Sequence, residues 1–327
     1  MSFSCPVVVR CALQFEGGRP NDWTQTMKPP PLPSPRPESM LWRDPSSHGH
    51  YGQDVCYGTP GLLVVLVDQS RHTTTMAEEI SIAANIFLQY MVISRSLSEG
   101  FHDSLHVVVL GYRSDEYGRS LVHPALIGPL AGRELVSISE IANNPTRIDN
   151  VTVFIPDEET GELLELPQQA PVWIDPVAKG ESPLCAALAE TCRIVDEWIP
   201  RFPRSFPPIV WNISSGVFSD GDPWPYADAL KRRGTQDGRV LLMHTYVRSG
   251  GPQTPFMFPD AATPMPDAAA QALYTMASVV PQPLRSDCEW SLGSSVSESA
   301  RYLFCNCEAP GRLFVTAFDW DKPPLLR

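Results

Sequence analysis

Along this chain, continuous apolar runs typical of buried strands are followed by segments in which apolar residues recur at the spacing of amphipathic helices. Residues 62–67 form an uninterrupted apolar run closed by Asp68, as in a strand buried on both faces of a parallel sheet. Apolar residues then recur at helical spacing over residues 75–94, and residues 105–112 predict a second strand. A strand, a helix and a strand in this order predict an α/β fold, with an open, doubly wound, mostly parallel sheet and helices on both faces.

Further elements are predicted downstream of residue 170. Strands are expected at residues 172–174, 209–213 and 240–246. Helices are expected at residues 184–198 (entered through Pro183), 222–233, 267–279 and 294–303, and a terminal apolar segment lies at residues 313–318. Residues 113–170 have weak periodicity and are interpreted as an insertion, within which the acidic residues 157–162 predict a solvated turn.

The N-terminal part has a different composition, which sets the predicted domain organisation. The chain has 34 prolines, and six of them fall in residues 29–37, a run that favours polyproline II. We therefore expect residues 1–58 to be a proline-rich, poorly ordered extension, and residues 59–327 to form one domain with an insertion at about 113–170. The alternative is that the proline-rich run docks into an aromatic groove of a partner protein.

Composition and charge exclude several classes of protein. The 327 residues are 43% apolar, enough for a core, and the net charge of −12 disfavours binding to nucleic acid. No uncharged apolar run approaches the ~20 residues of a membrane helix, and no signal peptide is recognisable, so we expect a cytoplasmic protein. The eight cysteines are then expected to be reduced thiols, with Cys185 and Cys192 in the core. Cys288, Cys305 and Cys307 come nearest to a metal-binding group, but no CxxC pair is present.

Three polar loops follow predicted strands or precede predicted helices. They are residues 68–72, residues 180–183 and residues 212–223. Ligands of open α/β sheets bind at the carboxyl ends of the strands, so these loops are the candidate site.

In order and spacing, these segments resemble a von Willebrand factor A (VWA) domain, and more narrowly a bacterial, intracellular VWA-like group. The matching motifs lie at residues 68–73, 180–188 and 214–223, and the likeness continues through residues 258–259, 276–281 and 300–306. The resemblance covers residue 58 to the C-terminus and implies a VWA/Rossmann-like three-layer fold.

The resemblance also implies a metal-ion-dependent adhesion site, in which a hard cation takes hydroxyl and carboxylate oxygens. Asp68 and Ser70 match its first two ligands, and Ser182 stands where the family has threonine. His72 replaces the second serine of the first loop, and Ser215 replaces the aspartate of the third. Because one of two carboxylates is lost, we expect no bound cofactor, with Mg²⁺ or Mn²⁺ as the alternative.

Three other arrangements of this site remain open. Asp220 or Asp222 could replace the lost carboxylate, although Asp222 also fits a helix cap and Asp220 a turn. His72 could serve as a ligand for softer ions such as Mn²⁺ or Zn²⁺. Alternatively, Arg71 pairs with Asp68 and takes the place of the metal.

The leading functional hypothesis is an intracellular protein-protein interaction or scaffold module. Its partner-binding residues would be Asp68, Ser70, Arg71, His72, Ser182, Ser215 and Asp220. The resemblance implies a partner such as a regulatory kinase, a phosphatase or an ATPase; nucleic acid and membrane are not expected. The alternative is a metal-dependent hydrolase or other enzyme using the same loops, although no complete catalytic set and no phosphate-binding glycine loop is visible. A structural subunit without ligands is the third hypothesis.

Overall fold

The computed structural model describes residues 28–33, 49–96, 103–156, 163–247 and 256–305. Its strands are β1 (Gly61–Asp68), β2 (Leu105–Ser114), β3 (Ser120–Pro124), β4 (Val136–Ser137), β5 (Arg147–Pro156), β6 (Leu163–Val172), β7 (Ile209–Ser214), β8 (Leu241–Tyr246), β9 (Phe256–Met257) and β10 (Leu303–Cys305). Its α-helices are α1 (Ala77–Ser96), α2 (Ile138–Asn143), α3 (Leu184–Trp198), α4 (Trp224–Lys231), α5 (Ala268–Met276) and α6 (Arg285–Leu292). None of these helices combines the length and the apolar character needed to cross a bilayer.

Eight strands form one mostly parallel sheet in the order β3-β2-β1-β7-β8-β10-β9, with β4 also paired to β2. Strands β2, β1, β7, β8 and β10 are parallel, whereas β3, β4 and β9 add antiparallel edges. The chain order reverses on either side of β1, since β2 lies on one side and β7 on the other. This doubly wound α/β sheet confirms the fold class predicted from the apolar pattern.

The residues of β1 alternate between two cores because neighbouring side chains point to opposite faces. Leu63, Val65 and Val67 pack with α1 and α2 on one face. Leu62, Val64 and Leu66 pack with α3, α4 and α5 on the other. A strand that is buried on both faces explains the uninterrupted apolar run, and the helices on both sides make the fold a three-layer one.

Residues before β1 also contact the domain. Tyr51 and Val55 are buried in the first of the two cores, so core residues lie on both sides of residue 58. Within residues 28–33, Pro30 and Pro33 are half-buried while the residues between them are exposed, and this spacing of three is that of a polyproline II turn. The Pro30 carbonyl accepts a hydrogen bond from the Tyr226 hydroxyl. The described part of the proline-rich run, residues 28–33, therefore lies against α4 of its own chain.

The region interpreted as an insertion supplies edge structure. Strand β3 pairs antiparallel with β2, and β5 pairs with β6 in a separate two-stranded sheet. The short strand predicted at residues 172–174 overlaps β6 only at Val172, where β6 ends, and Trp173 and Ile174 lie outside any strand. Residues 157–162, for which a solvated turn was predicted, lie outside the described residues.

The helix predicted at residues 294–303 is wrong. The helix in this part of the chain is α6, which ends at Leu292 because Gly293 adopts a left-handed conformation with φ of 69°. The residues after it lead into β10, whose three residues are all buried. Val296 and Ala300 of the predicted helix are buried in the first core, but the backbone that carries them is not helical. The apolar segment at residues 313–318 lies outside the described part of the chain.

Candidate functional site

The three polar loops meet at the carboxyl edge of the sheet, as predicted. The Lys179 N–H donates to the Gln69 carbonyl at 2.8 Å, which joins the second loop to the first. The Arg71 N–H donates to the Gly180 carbonyl at 2.9 Å. The Ser219 N–H donates to the Ser182 carbonyl at 2.9 Å, which joins the third loop to the second. Backbone hydrogen bonds thus fix the relative positions of all three loops.

Gly180 is required by the geometry of the second loop. Its φ is +69°, and a Cβ at this position would lie 2.5 Å from the carbonyl oxygen of Ser114. The close approach lets the Glu181 N–H donate to Ser114 Oγ at 2.9 Å, while the Ser114 N–H donates to the Glu181 carbonyl. Glycine therefore lets this loop pack on the end of β2 and brings Ser182 to the site.

The carboxylate of Asp68 is buried and fully engaged by serine donors. Its side chain is 1% exposed. Oδ1 accepts the Ser70 N–H at 3.0 Å. Oδ2 accepts both the N–H and the hydroxyl of Ser215, at 3.1 Å and 2.7 Å. Hydrogen bonds across two loops thus stabilise a buried charge.

Three hydroxyls of the joined loops at this edge have no hydrogen-bond partner among the described residues. They belong to Ser70, Ser182 and Ser219, and their oxygens are buried. The amide oxygen of Gln69 is also buried and has no hydrogen-bond partner among the described residues. An unsatisfied buried polar group costs about 1–3 kcal/mol, so such a concentration at one edge indicates a site that is completed by a further polar group.

The charged side chains at the rim of the site pair with each other. The guanidinium of Arg71 lies 2.6 Å from one carboxylate oxygen of Glu181, and Nε2 of His72 lies 3.1 Å from the other. The predicted pairing of Arg71 with Asp68 is wrong. Asp68 points into the protein, where serine donors satisfy it, whereas the half-exposed Arg71 side chain reaches Glu181 instead.

Asp220 and Asp222 both act as helix caps. Asp220 is fully buried, and its carboxylate accepts the N–H groups of Cys185 and Ala186 at the start of α3. Burial raises the pKa of the Asp220 carboxyl above its ordinary value. Asp222 accepts the Trp224 N–H at 3.0 Å, as expected for a cap, although α4 spans Trp224–Lys231 and is shorter than the predicted 222–233.

A buried polar row crosses the sheet beneath the site. The Tyr112 hydroxyl donates to the side chain of Asn212 at 3.0 Å, and the amide nitrogen of Asn212 lies 3.1 Å from Nδ1 of His244. Burial, followed by the charge of Lys231, lowers the pKa of His244 to about 3. Burial also holds the pKa of Tyr112 well above 10, with Asp68 adding to the effect. All three side chains are therefore neutral at physiological pH.

The oxygens of the site fit a hard cation in their chemistry but supply little charge. Asp68, Ser70 and Ser182 offer one carboxylate and two unpartnered hydroxyls. Within the described ranges, no group of three or more His, Cys, Asp and Glu side chains could hold a metal ion. Cys185 and Cys192 are buried free thiols of α3, as predicted; Cys288 and Cys305 are also buried, and Cys307 lies outside the described residues.

Three further residues of this edge were not singled out from the sequence. Glu181 pairs with both Arg71 and His72. Its position next to Ser182 in the sequence was the one feature that could have identified it as a residue of the site. Val217 and Trp224 are 37% and 48% exposed, which is unusual for large apolar side chains. Nothing in the local sequence distinguishes them from core residues.

No family model and no curated protein matches the chain. Among solved structures, proximal thread matrix protein 1 from the mussel byssus, in crystal form 2, is similar with 12% identity and a TM-score of 0.41, over 81% of this chain and 47% of that chain. A structure of the same protein with zinc in its MIDAS motif has 14% identity and a TM-score of 0.41, over 80% of this chain and 45% of that one. The chain thus spans less than half of those chains, and its fold assignment rests on its own strand order.

Proposed function

We propose that this protein is an intracellular, VWA-like interaction module whose partner binds at the carboxyl edge of the sheet, around Asp68, Ser70, Ser182 and Ser215. The observation that carries the proposal is that the loops around the buried Asp68 carboxylate hold buried hydroxyls with no partner in the described part of the chain. A polar group of the partner, or a water or cation that it shares with the site, would satisfy these hydroxyls.

The rim has the composition of a binding surface. Trp224 is exposed, and Arg71 is held in place by Glu181. Exposed Trp and Arg side chains contribute most of the binding energy in many protein interfaces. We propose that Trp224 and Val217 supply the apolar contact and that Arg71 and Glu181 supply the charge that orients the partner.

In this proposal the module works without a tightly bound metal. Asp68, Ser70 and Ser182 would hold Mg²⁺ or Mn²⁺ if one bound, and the ion would supply a positive charge for a carboxylate of the partner. The site has a single formal negative charge, and the hydrogen bonds from Ser215 already satisfy one oxygen of that carboxylate. The affinity for a cation is therefore expected to be low. A regulatory kinase, a phosphatase or an ATPase is the partner class that we propose from the sequence resemblance.

The test compares partners captured by full-length variants in their native cell. Arg71→Glu reverses a rim charge, Trp224→Ala removes the exposed aromatic, and Arg204→Glu is a matched control on an exposed arginine away from the site. We expect the first two variants to lose a partner that the wild type and the control retain. A partner held equally by all four proteins, or cross-linked only to residues 28–33, would contradict the proposal.

An enzyme remains the second candidate, because the Glu181 carboxylate orients His72 as an acid would orient a catalytic base. The Ser70 hydroxyl, however, has no hydrogen bond to His72 among the described residues. A screen of ester and phosphoester substrates with wild type, Ser70→Ala and His72→Ala separates the two functions. Turnover that both variants abolish would favour the enzyme.

A further inference from the structure

A second candidate site lies at the opposite, amino edge of the sheet. A cavity of about 480 Å³ opens between the end of α4, the start of β8 and the segment that follows α5. Its wall is partly apolar, with Val240, Leu241 and Val279. Cavities of this size and mixed lining are typical of sites for small molecules.

Positive charge is concentrated around this cavity. Four basic side chains line it against one acidic side chain, Asp228: they are Lys231, Arg232, Arg239 and Arg301. Asp228 is already paired with Arg232 at 2.7 Å. The whole chain has a net charge of −12, so its overall composition does not explain an excess of basic side chains around one cavity.

Lys231 is the central residue of the argument. Its side chain is half-buried, and no hydrogen bond or ion pair engages its ammonium group in the described part of the chain. Burial, and then the nearby charge of Arg301, lower the pKa of Lys231 to about 8. Two cations are thus held close together in a partly desolvated place, where a bound anion would stabilise both.

Arg301 is held in place before any ligand arrives. Its Nη1 donates to the Ala277 carbonyl at 2.7 Å, and its guanidinium lies 5.2 Å from the ring centre of Tyr274. A fixed guanidinium loses little entropy on binding an oxyanion, and arginine and lysine together are the usual ligands of phosphate groups.

We propose that this cavity binds the phosphoryl group of a small organic phosphate, with Lys231 and Arg301 on the phosphoryl oxygens. Arg239, exposed and with no side-chain partner in the described ranges, adds charge at the entrance. The apolar wall of Val240, Leu241 and Val279 takes the organic part. The cavity volume of about 480 Å³ exceeds what a lone phosphate ion requires, so the proposed ligand is an organic phosphate.

Isothermal titration of the full-length protein tests this site with phenyl phosphate and inorganic phosphate as probes, at constant ionic strength. We expect phenyl phosphate to bind more tightly than inorganic phosphate, because the apolar wall adds contact. Lys231→Met keeps the aliphatic stem and removes the charge, and it should weaken phenyl phosphate binding by about tenfold or more. Lys179→Met makes the same change at an exposed lysine at the opposite edge of the sheet and should leave binding unchanged.

A second measurement uses the wild-type protein and needs no variant. A lysine with a lowered pKa is acylated early, so acetic anhydride should modify Lys231 among the first lysines, and phenyl phosphate should protect it. If neither phenyl phosphate nor inorganic phosphate binds at millimolar concentration, the proposal is overturned. Binding that Lys231→Met leaves intact, or acylation of Lys231 that phenyl phosphate does not slow, overturns it equally.

Discussion

The hydroxyl of Ser215 donates a hydrogen bond of 2.7 Å to Oδ2 of Asp68, and the backbone N–H of Ser215 donates to the same oxygen at 3.1 Å. Ser215 therefore provides hydrogen-bond donors at the position where VWA domains, which the sequence resembles, have a second carboxylate. The buried charge of Asp68 is compensated by hydrogen bonds from the protein itself.

Ser215→Asp should turn this arrangement into a cation-dependent one. Two carboxylates would then share the site, and their repulsion should lower the free energy of unfolding until a divalent cation bridges them. With Mg²⁺ at a hundred times its Kd, the variant should regain about 2.7 kcal/mol. Thermal melts in EDTA, Mg²⁺ and Mn²⁺ measure this, and the wild type should melt at nearly the same temperature in all three.

Ser215→Asn is the matched control, since it has the shape of aspartate without the charge. It should show no melting shift with either cation. A clear Mg²⁺ shift in the wild type, abolished by Asp68→Ala, would show that the site binds metal despite Ser215.

Asp220→Ala should destabilise the protein more than Asp222→Ala. Asp220 is buried and accepts two N–H groups at the start of α3, so its loss leaves both donors buried without a partner. Asp222 is exposed and accepts one N–H. We expect a loss of about 2–3 kcal/mol for Asp220→Ala and about 1 kcal/mol or less for Asp222→Ala, measured by urea denaturation. Equal losses would contradict the capping role of Asp220.

The raised pKa of Asp220 also predicts a pH dependence. The native state holds this proton to a higher pH than the unfolded state, because burial disfavours the charged carboxylate. The contribution of Asp220 to stability is therefore greatest below the ordinary pKa of 3.8 and declines as the pH rises through the raised value. Asp220→Asn removes this titration, so the difference in unfolding free energy between wild type and variant should change across that window. A constant difference would show that the pKa is not raised.

Two adjacent arginines should differ sharply in their contribution to stability. The guanidinium of Arg233 binds both carboxylate oxygens of Asp196 at 2.8 Å, and the two side chains are 5% and 9% exposed. Arg233→Met removes the guanidinium from this buried carboxylate and should cost about 3–5 kcal/mol. Arg232→Met breaks an exposed pair with Asp228 and should cost about 1 kcal/mol or less. Similar losses in urea denaturation would contradict this ranking.

His244 should remain neutral over the whole physiological range. Burial lowers its pKa to about 3, so its imidazole resonances should not titrate between pH 4.5 and 8 in an NMR experiment on the folded protein. The unfolded state takes up this proton near pH 6.5, so the contribution of His244 to stability falls as the pH drops from there towards 3. A titration midpoint near 6.5 in the folded protein would contradict the buried position.

The prediction of the helix near the C-terminus shows where periodicity alone was insufficient. Residues 294–303 have a helical spacing of apolar and polar positions, yet the helix forms earlier, over Arg285–Leu292. Cys288 of α6 packs into the core, as does Leu284 just before it. Val296 and Ala300 of the predicted segment are buried in the same core without being helical, so the spacing of apolar positions did not by itself decide which segment forms the helix.

The sequence by itself determined the α/β class, the central strands and the position of the three loops. These follow from patterns a few residues long, such as the apolar run of β1 ending at Asp68, and from the rule that parallel strands end at one edge. The tertiary structure decided which side chains meet there. Asp68 and Ser215 are 147 residues apart in the chain, and so are joined only in the folded protein. Arg71 pairs with Glu181 for the same reason: the choice among partners depends on distance and burial, which no local pattern encodes.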